Sequence, residues 1–222
     1  MLGKGYKAII FDFDGTLYNR NGINKKMIMA NLFYWRYLKG LKEVREEMAG
    51  KDYGSKEAFY SAFYAAVAKK TKKKIYNVKK WYTNTFYSKF VKVLADHFYS
   101  RPKVNKLLYN LQTRGYRLAV VSDYDKIAER MQALGIDQNP FRCLLSAEAV
   151  GALKPHPKSL LAAADVLGTK PAATLVIGDR SETDGQAARN AGMGYIEIIE
   201  QFLEKTDKYV WRDFYQKIID HQ

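Results

Sequence analysis

"YKAIIFDFDGTLYN", residues Tyr6 to Asn19, sets two aspartates two positions apart at the end of an apolar run, just ahead of Gly-Thr. The run Ala8 to Phe11 has the character of a strand buried on both faces, and residues i and i+2 of a strand point the same way. Asp12 and Asp14 therefore meet where that strand ends. Ionised carboxylates in such a place are costly unless a cation, a hydrogen-bond donor or a shared proton compensates them. A turn built on Asp-Gly accounts for Asp14 and Gly15 but leaves Asp12 without a reason. The stretch calls for an occupant.

Beyond this strand the texture changes. Residues 23–98 contain no proline and read as helices in "MIMANLFYWRYLKGL", "SKEAFYSAFYAAVAKK" and "YNVKKWYTNTFYSKFVKVLADHF", with Ser55 placed to cap the second. After "SRPKV", helices over 104–114, 126–134 and 186–191, and another following "KPHP", alternate with the strands "YRLAVVS", "FRCLLS", "ATLVIGD" and "GYIEII". Residues after Glu200 read as a closing amphipathic helix. Short buried strands alternating with helices predict an α/β fold built on a doubly wound parallel sheet. The first strand belongs to that sheet, separated from the rest by an inserted, all-helical segment.

With 222 residues and 47% apolar content, the chain can bury a core and carry a smaller inserted domain. No apolar stretch approaches the ~18 residues that span a bilayer, and "MLGKGYK" leads into the strand without a signal-peptide hydrophobic region. The expectation is a cytoplasmic protein without a membrane partner. Cys143 is the single cysteine, so it has no internal disulfide partner, and its apolar strand makes it a core residue. Of the net charge of +14, residues 20–97 hold +12 (18 basic against 6 acidic), leaving 19 against 17 elsewhere. Tyr34, Trp35, Phe59, Phe63, Tyr64, Trp81, Tyr82 and Phe86 fall at helical spacings there, which favours packing inside the insert. "KKTKKK" reads equally as a solvated surface or as a field that steers a polyanion. Basic residues interleaved with aromatics also raise nucleic-acid binding as a rival.

In doubly wound sheets ligands bind beyond the carboxyl ends of the strands. There the chain places Asp12 and Asp14, then Ser122 and Asp123, then Asp179 with Asp184 five residues later; Lys154 lies in "GALKPHP" after the third strand. Carboxylates gathered with a hydroxyl and an ammonium suit a phosphate and a hard divalent cation. Singly, Ser122 or Asp123 is as well explained by capping a helix, and Lys154 by solvation. "GDRSETDG" is no calcium loop, since Asp184 stands where an EF-hand needs glycine. "GKG" precedes the strand it would have to follow in a dinucleotide fingerprint. His156, between two prolines, reads as a turn residue.

In order and spacing, "DFDGT", "VVSDYD", "LKPHP" and "GDRSETD" resemble the four signature motifs of the haloacid dehalogenase-like (HAD) hydrolase superfamily, in particular its phosphoglycolate phosphatase-like and β-phosphoglucomutase-like members. The resemblance implies a Rossmann-like core over residues 1–18 and 99–222 and a helical cap over 19–98. It implies Mg²⁺-dependent hydrolysis of a small phosphorylated metabolite through an aspartyl-phosphate. Asp12 would be the nucleophile and Asp14 the general acid, then base. The Asp12 and Asp179 carboxylates and the Asp14 backbone carbonyl would hold the metal, with Asp184 bound through water or just behind. Ser122 and Lys154 would hold the phosphoryl oxygens. Backbone N–H groups at Phe13 and Asp123, with Thr16, would complete the cradle. A phosphomutase would use the same residues. A 2-haloacid dehalogenase would need neither Asp14 nor the Asp179/Asp184 pair. A nucleic-acid-binding module would leave the hydrolase core inactive. Monomer and homodimer are both compatible with this pattern.

Overall fold

The computed structural model describes residues 5–200 and 208–220. Its sheet has six strands, β1 (Ala8–Asp12), β2 (Arg117–Ser122), β3 (Phe141–Ser146), β4 (Thr174–Gly178), β5 (Gly194–Ile199) and β6 (Lys208–Val210), all parallel and ordered β3-β2-β1-β4-β5-β6. From β1 the chain winds one way to β2 and β3 and the other way to β4, β5 and β6, so the winding reverses between β1 and β4, where such sheets open a crevice. The apolar run that opened the reading explains the position of β1. Ile9 and Phe11 enter one core with Leu118, Val120, Leu175 and Ile177. Ala8 and Ile10 enter the other, with Leu160, Ala163 and Val176. Alternate residues of one strand thus feed both faces, which is the doubly wound architecture predicted above.

The insert consists of α1 (Ile23–Ala30), α2 (Trp35–Met48), α3 (Lys56–Thr71), α4 (Ile75–Lys80) and α5 (Tyr87–His97). Ser55 caps α3 by accepting from the Ala58 N–H. The single helix expected over 27–41 is broken. Buried Asn31 leaves helical geometry (φ −120°), donates its side-chain amide to the Met27 carbonyl at 2.9 Å, and passes into a 3₁₀ turn, Leu32–Tyr34. The helix expected over 76–98 contains a π-helical turn, Trp81–Phe86, between α4 and α5. That turn's wider i→i+5 bonding brings the Tyr82 and Tyr87 hydroxyls to 3.0 Å from each other. Tyr18 bridges Ser100, and Arg101 N–H donates to the Leu17 carbonyl at 2.9 Å, closing the base of the insert.

The rest of the chain supplies α6 (Val104–Thr113), α7 (Ile127–Ala133), α8 (Ala147–Val150), α9 (Lys158–Leu167), α10 (Gln186–Ala191) and α11 (Trp211–Asp220). The expected closing helix forms as α11. Residues 201–207 lie outside the described part, and three residues of edge strand that were not expected, too few to show a period, precede α11.

One buried carboxylate fastens the insert over the sheet. Glu148, fully buried in α8, accepts from Arg45 of α2 and from the hydroxyls of Tyr60 (2.7 Å), Tyr82 (2.6 Å) and Tyr87 (3.0 Å). Two donors fall on each oxygen. Arg45 continues to the Asp123 carbonyl (2.7 Å) and lies 3.9 Å over the Tyr124 ring. A second tie joins Lys158 to Asp52 at 2.7 Å.

Candidate active site

The loop leaving β1 makes the first wall. Gly15 sits at φ +103°, and a Cβ there would stand 2.1 Å from Asp179 Oδ2, so both the backbone and the approach of Asp179 demand glycine. Arg101, re-entering from the insert, holds the loop by donating to the Gly15 carbonyl at 2.7 Å and the Thr16 carbonyl at 3.3 Å. Thr16 Oγ1 then donates to Asp12 Oδ2 at 3.1 Å. From the far side of the crevice, buried Lys154 Nζ donates to Asp12 Oδ1 at 2.6 Å and to Asp184 Oδ1. The Lys154 loop is itself anchored by its backbone N–H on Asp123 Oδ1, 3.0 Å away.

Asp12, Asp179 and Asp184 present carboxylate oxygens within 4.8 Å of one another. Burial, followed by the Asp184 carboxylate, pushes Asp12 up to about 6 against the pull of Lys154. Burial and Asp12 push Asp179 up to about 7 although Arg20 lies 3.2 Å away. Burial would lower Lys154, but Asp12 and Asp184 outweigh it and keep the ammonium charged. Lys154, Arg20 and Arg180 face these three carboxylates, yet the proton affinity of Asp12 and Asp179 stays raised. Asp179 Oδ1 is buried with no hydrogen bond. A hard cation, which takes oxygen ligands, fits that donor set.

Asp14 has a different environment. Its carboxylate accepts from a single Arg130 nitrogen, Nη1, on both oxygens (2.8 Å to each), from the Tyr18 hydroxyl (2.7 Å) and from the Ser122 hydroxyl (2.9 Å). Burial alone would raise it, but Arg130, Tyr18 and Ser122 overcome that and hold it below the usual carboxylate range. Its carboxylate is therefore not one of the three that gather for a cation. Ser122 Oγ is fully engaged, since it also accepts from Arg130 (2.8 Å) and the Tyr124 N–H (3.1 Å). The Phe13 side chain is buried, its ring centroid 4.6 Å from the Arg130 guanidinium carbon.

The profile of the haloacid dehalogenase-like hydrolase family matches residues 9–198, most of the chain and every residue of this cluster. The chain is a haloacid dehalogenase-like hydrolase. Phosphoglycolate phosphatase of Aquifex aeolicus is 25% identical over 90% of this hydrolase and 91% of its own length. The Pasteurella multocida phosphoglycolate phosphatase is 32% identical, but over 52% of this chain and 54% of its own, so the hydrolase spans about half of that relative. Among solved structures, a HAD phosphatase from Thermococcus onnurineus superimposes with a TM-score of 0.64 at 19% identity, covering 96% and 98% of the two chains. That likeness is one of fold. Phosphatases are thus among the relatives that the hydrolase matches over nearly their whole length.

Sequence reading missed Arg130, Tyr18, Arg101 and the donors around Glu148. Arg130 left a trace: it shares the apolar stripe Ile127, Met131 and Leu134 at helical spacing, so an arginine there is buried and needs a counter-charge. Glu148 left none, because its donors come from residues 45, 60, 82 and 87. Of the aromatics in the basic insert, Phe59, Phe63, Trp81, Tyr82 and Phe86 are buried, whereas Trp35 is 54% exposed. Cys143 is half-buried beside the second core, and burial raises its thiol. His156 N–H donates to the Leu153 carbonyl within the Lys154 loop. No helix among the described residues is long and apolar enough to cross a membrane.

Proposed function

We propose that this hydrolase is a Mg²⁺-dependent phosphatase that cleaves a small phosphomonoester through an aspartyl-phosphate. The observation that carries the reading is the meeting of Asp12, Asp179 and Asp184 around Lys154, beyond the strands where the winding reverses. Asp12, Asp179 and the Asp14 carbonyl would hold Mg²⁺, with Asp184 close behind; the ion supplies charge neutralisation at the phosphoryl oxygens.

Asp12 is the nucleophile, oriented by Thr16 on one oxygen and Lys154 on the other. Lys154, with the Ser122 hydroxyl and the backbone N–H groups of Phe13 and Asp123, receives the phosphoryl oxygens, whose charge would otherwise repel an attacking carboxylate. Asp14 serves the leaving group and then the attacking water. Arg130 keeps it ionised in this state, which is the form that accepts the proton of water. Donation to a leaving alkoxide requires that Asp14 first take a proton against Arg130. Residues 19–98 act as a cap over a core of 1–18 and 99–222, and close the site to solvent.

A panel of phosphomonoesters assayed for phosphate release with Mg²⁺ or with chelator tests the reading. Turnover that chelation abolishes and Asp12→Asn removes is expected, as is a hydroxylamine-labile phosphoenzyme in the native chain and not in the variant. Turnover that survives either change refutes it.

A further inference from the structure

A cavity of about 490 Å³ lies between the insert and the core, and Asp14 and Tyr18 are at its inner end. That size is typical of small-molecule sites. Asp12, Lys154 and Asp184 do not line it, so it lies on the leaving-group side of Asp14. Its walls are Met27, Leu38, Leu41, Phe86 and Phe90, with the Tyr124 ring. The first five carry no hydrogen-bond donor in their side chains, and their one acceptor is the weak thioether of Met27. The polar groups nearest the chemistry are committed elsewhere: Tyr18 to Asp14, Arg20 to Asp179. Asn24, Lys39 and Lys42 also border the cavity, but all three are exposed, and the lysines lie near Glu43 and Glu46 on their own helix. Ile28 and Trp35, 51% and 54% exposed, border it as well and extend its apolar lining to the surface.

Resting on the phosphatase reading, we infer that the substrate is the phosphate ester of a bulky apolar alcohol, whose hydrocarbon fills this cavity while its ester oxygen meets Asp14. A polyhydroxylated or carboxylated leaving group would bury its polar atoms against Leu38, Leu41, Phe86 and Phe90, which offer them nothing, and reach Asn24, Lys39 and Lys42 only at the exposed rim. A hydrocarbon one gains from every methylene it removes from water. The insert lining accounts for this preference: α1 gives Met27, α2 gives Leu38 and Leu41, and the π turn and α5 give Phe86 and Phe90.

Straight-chain alkyl phosphates from ethyl to octyl, used below their micellar concentrations, test this directly. Their leaving alcohols are nearly equal in basicity, so Asp14 has the same task throughout. The expected result is a rise in kcat/KM of about fourfold per methylene until the cavity is filled, with octyl phosphate well above phosphoglycolate and glyceraldehyde 3-phosphate. Trp35→Ala, a change at an exposed position, lowers the octyl-to-ethyl ratio about tenfold. Binding of the uncleavable alkylphosphonates, followed by calorimetry, tightens along the same series. Turnover that is flat with chain length, or highest for the polar esters, overturns the inference and leaves the phosphatase standing. Phosphonate affinity that climbs with chain length in a protein hydrolysing no ester upholds the apolar cavity and removes the phosphatase. Neither turnover nor chain-length-dependent binding removes both.

Discussion

Replacing Glu148 tests whether one buried carboxylate holds the insert on the sheet. Its four donors come from α2, α3, the π turn and α5, and the Arg45 side chain is only 9% exposed. Glu148→Gln removes the counter-charge of Arg45 and confronts the tyrosine hydroxyls with an amide N–H₂ that cannot accept from them. Breaking a buried pair from one side costs about 3–5 kcal/mol, a large part of the ~5–15 kcal/mol available to a folded protein. For a chain of this size that lowers the thermal midpoint by roughly 6–20 °C. Arg45→Met is milder, about 1–3 kcal/mol, because three hydroxyls still donate to Glu148. The double change Arg45→Met with Glu148→Leu leaves no charge stranded but takes the acceptor from the Tyr60, Tyr82 and Tyr87 hydroxyls, so it recovers only part of the loss. Urea unfolding of the four proteins measures these differences. A Glu148→Gln protein within about 1 kcal/mol of the native one refutes the role given to this network.

Arg130→Lys keeps the charge but loses the Nη2 donor to the Ser122 hydroxyl and the Tyr124 carbonyl, and the misplaced Asp14 lowers kcat by about a hundredfold; steady-state kinetics beside a thermal melt separates this from a loss of fold. Asp14→Asn slows alkyl phosphates far more than p-nitrophenyl phosphate, whose leaving group needs no proton; equal losses on both would remove the acid role. Because Asp12 and Asp179 are raised to about 6 and about 7, their ionisation opposes folding, so the metal-free protein loses stability as pH rises from about 4 through 7. Mg²⁺ must displace those protons, so its stabilisation in thermal melts is largest near pH 8 and fades below about pH 6. An equal Mg²⁺ effect at both ends contradicts the assigned ligands.

What was legible in the chain divides along physical lines. Strands buried on both faces are written as continuous apolar runs, and the residues ending them are written beside them. That is why β1 to β5, Asp12, Asp179 and the crevice could be read together. The Ser55 cap is equally local, one side chain and an N–H three residues on. The break at Asn31 is not, because it depends on an amide finding a carbonyl inside the insert rather than on a glycine or proline. The π turn is hidden for a related reason: Tyr82 and Tyr87 are drawn to one carboxylate some sixty residues away, and only that distant partner favours i→i+5 bonding over i→i+4. Arg130 stood in a recognisable buried stripe, but nothing local named Asp14 as its counter-ion.

The two aspartates of "DFDGT" need compensation for the same reason and receive it in different currencies. Asp12 has an ammonium shared with Asp184 and two further carboxylates at its side, and its proton affinity rises. Asp14 has a guanidinium to itself and two hydroxyls, and its proton affinity falls. Environments that drive neighbouring carboxyl groups apart can assign them different work. In the proposed mechanism the first takes the cation and the second, held ionised, is the base. On that reading the base half of Asp14's task is built into the resting geometry. The acid half has to be created by the substrate, whose phosphoryl oxygens compete with Asp14 for the Ser122 hydroxyl and so remove one of the three contacts that hold the carboxylate ionised. A leaving group that is slow to depart without a proton therefore depends on Ser122 as well as Asp14.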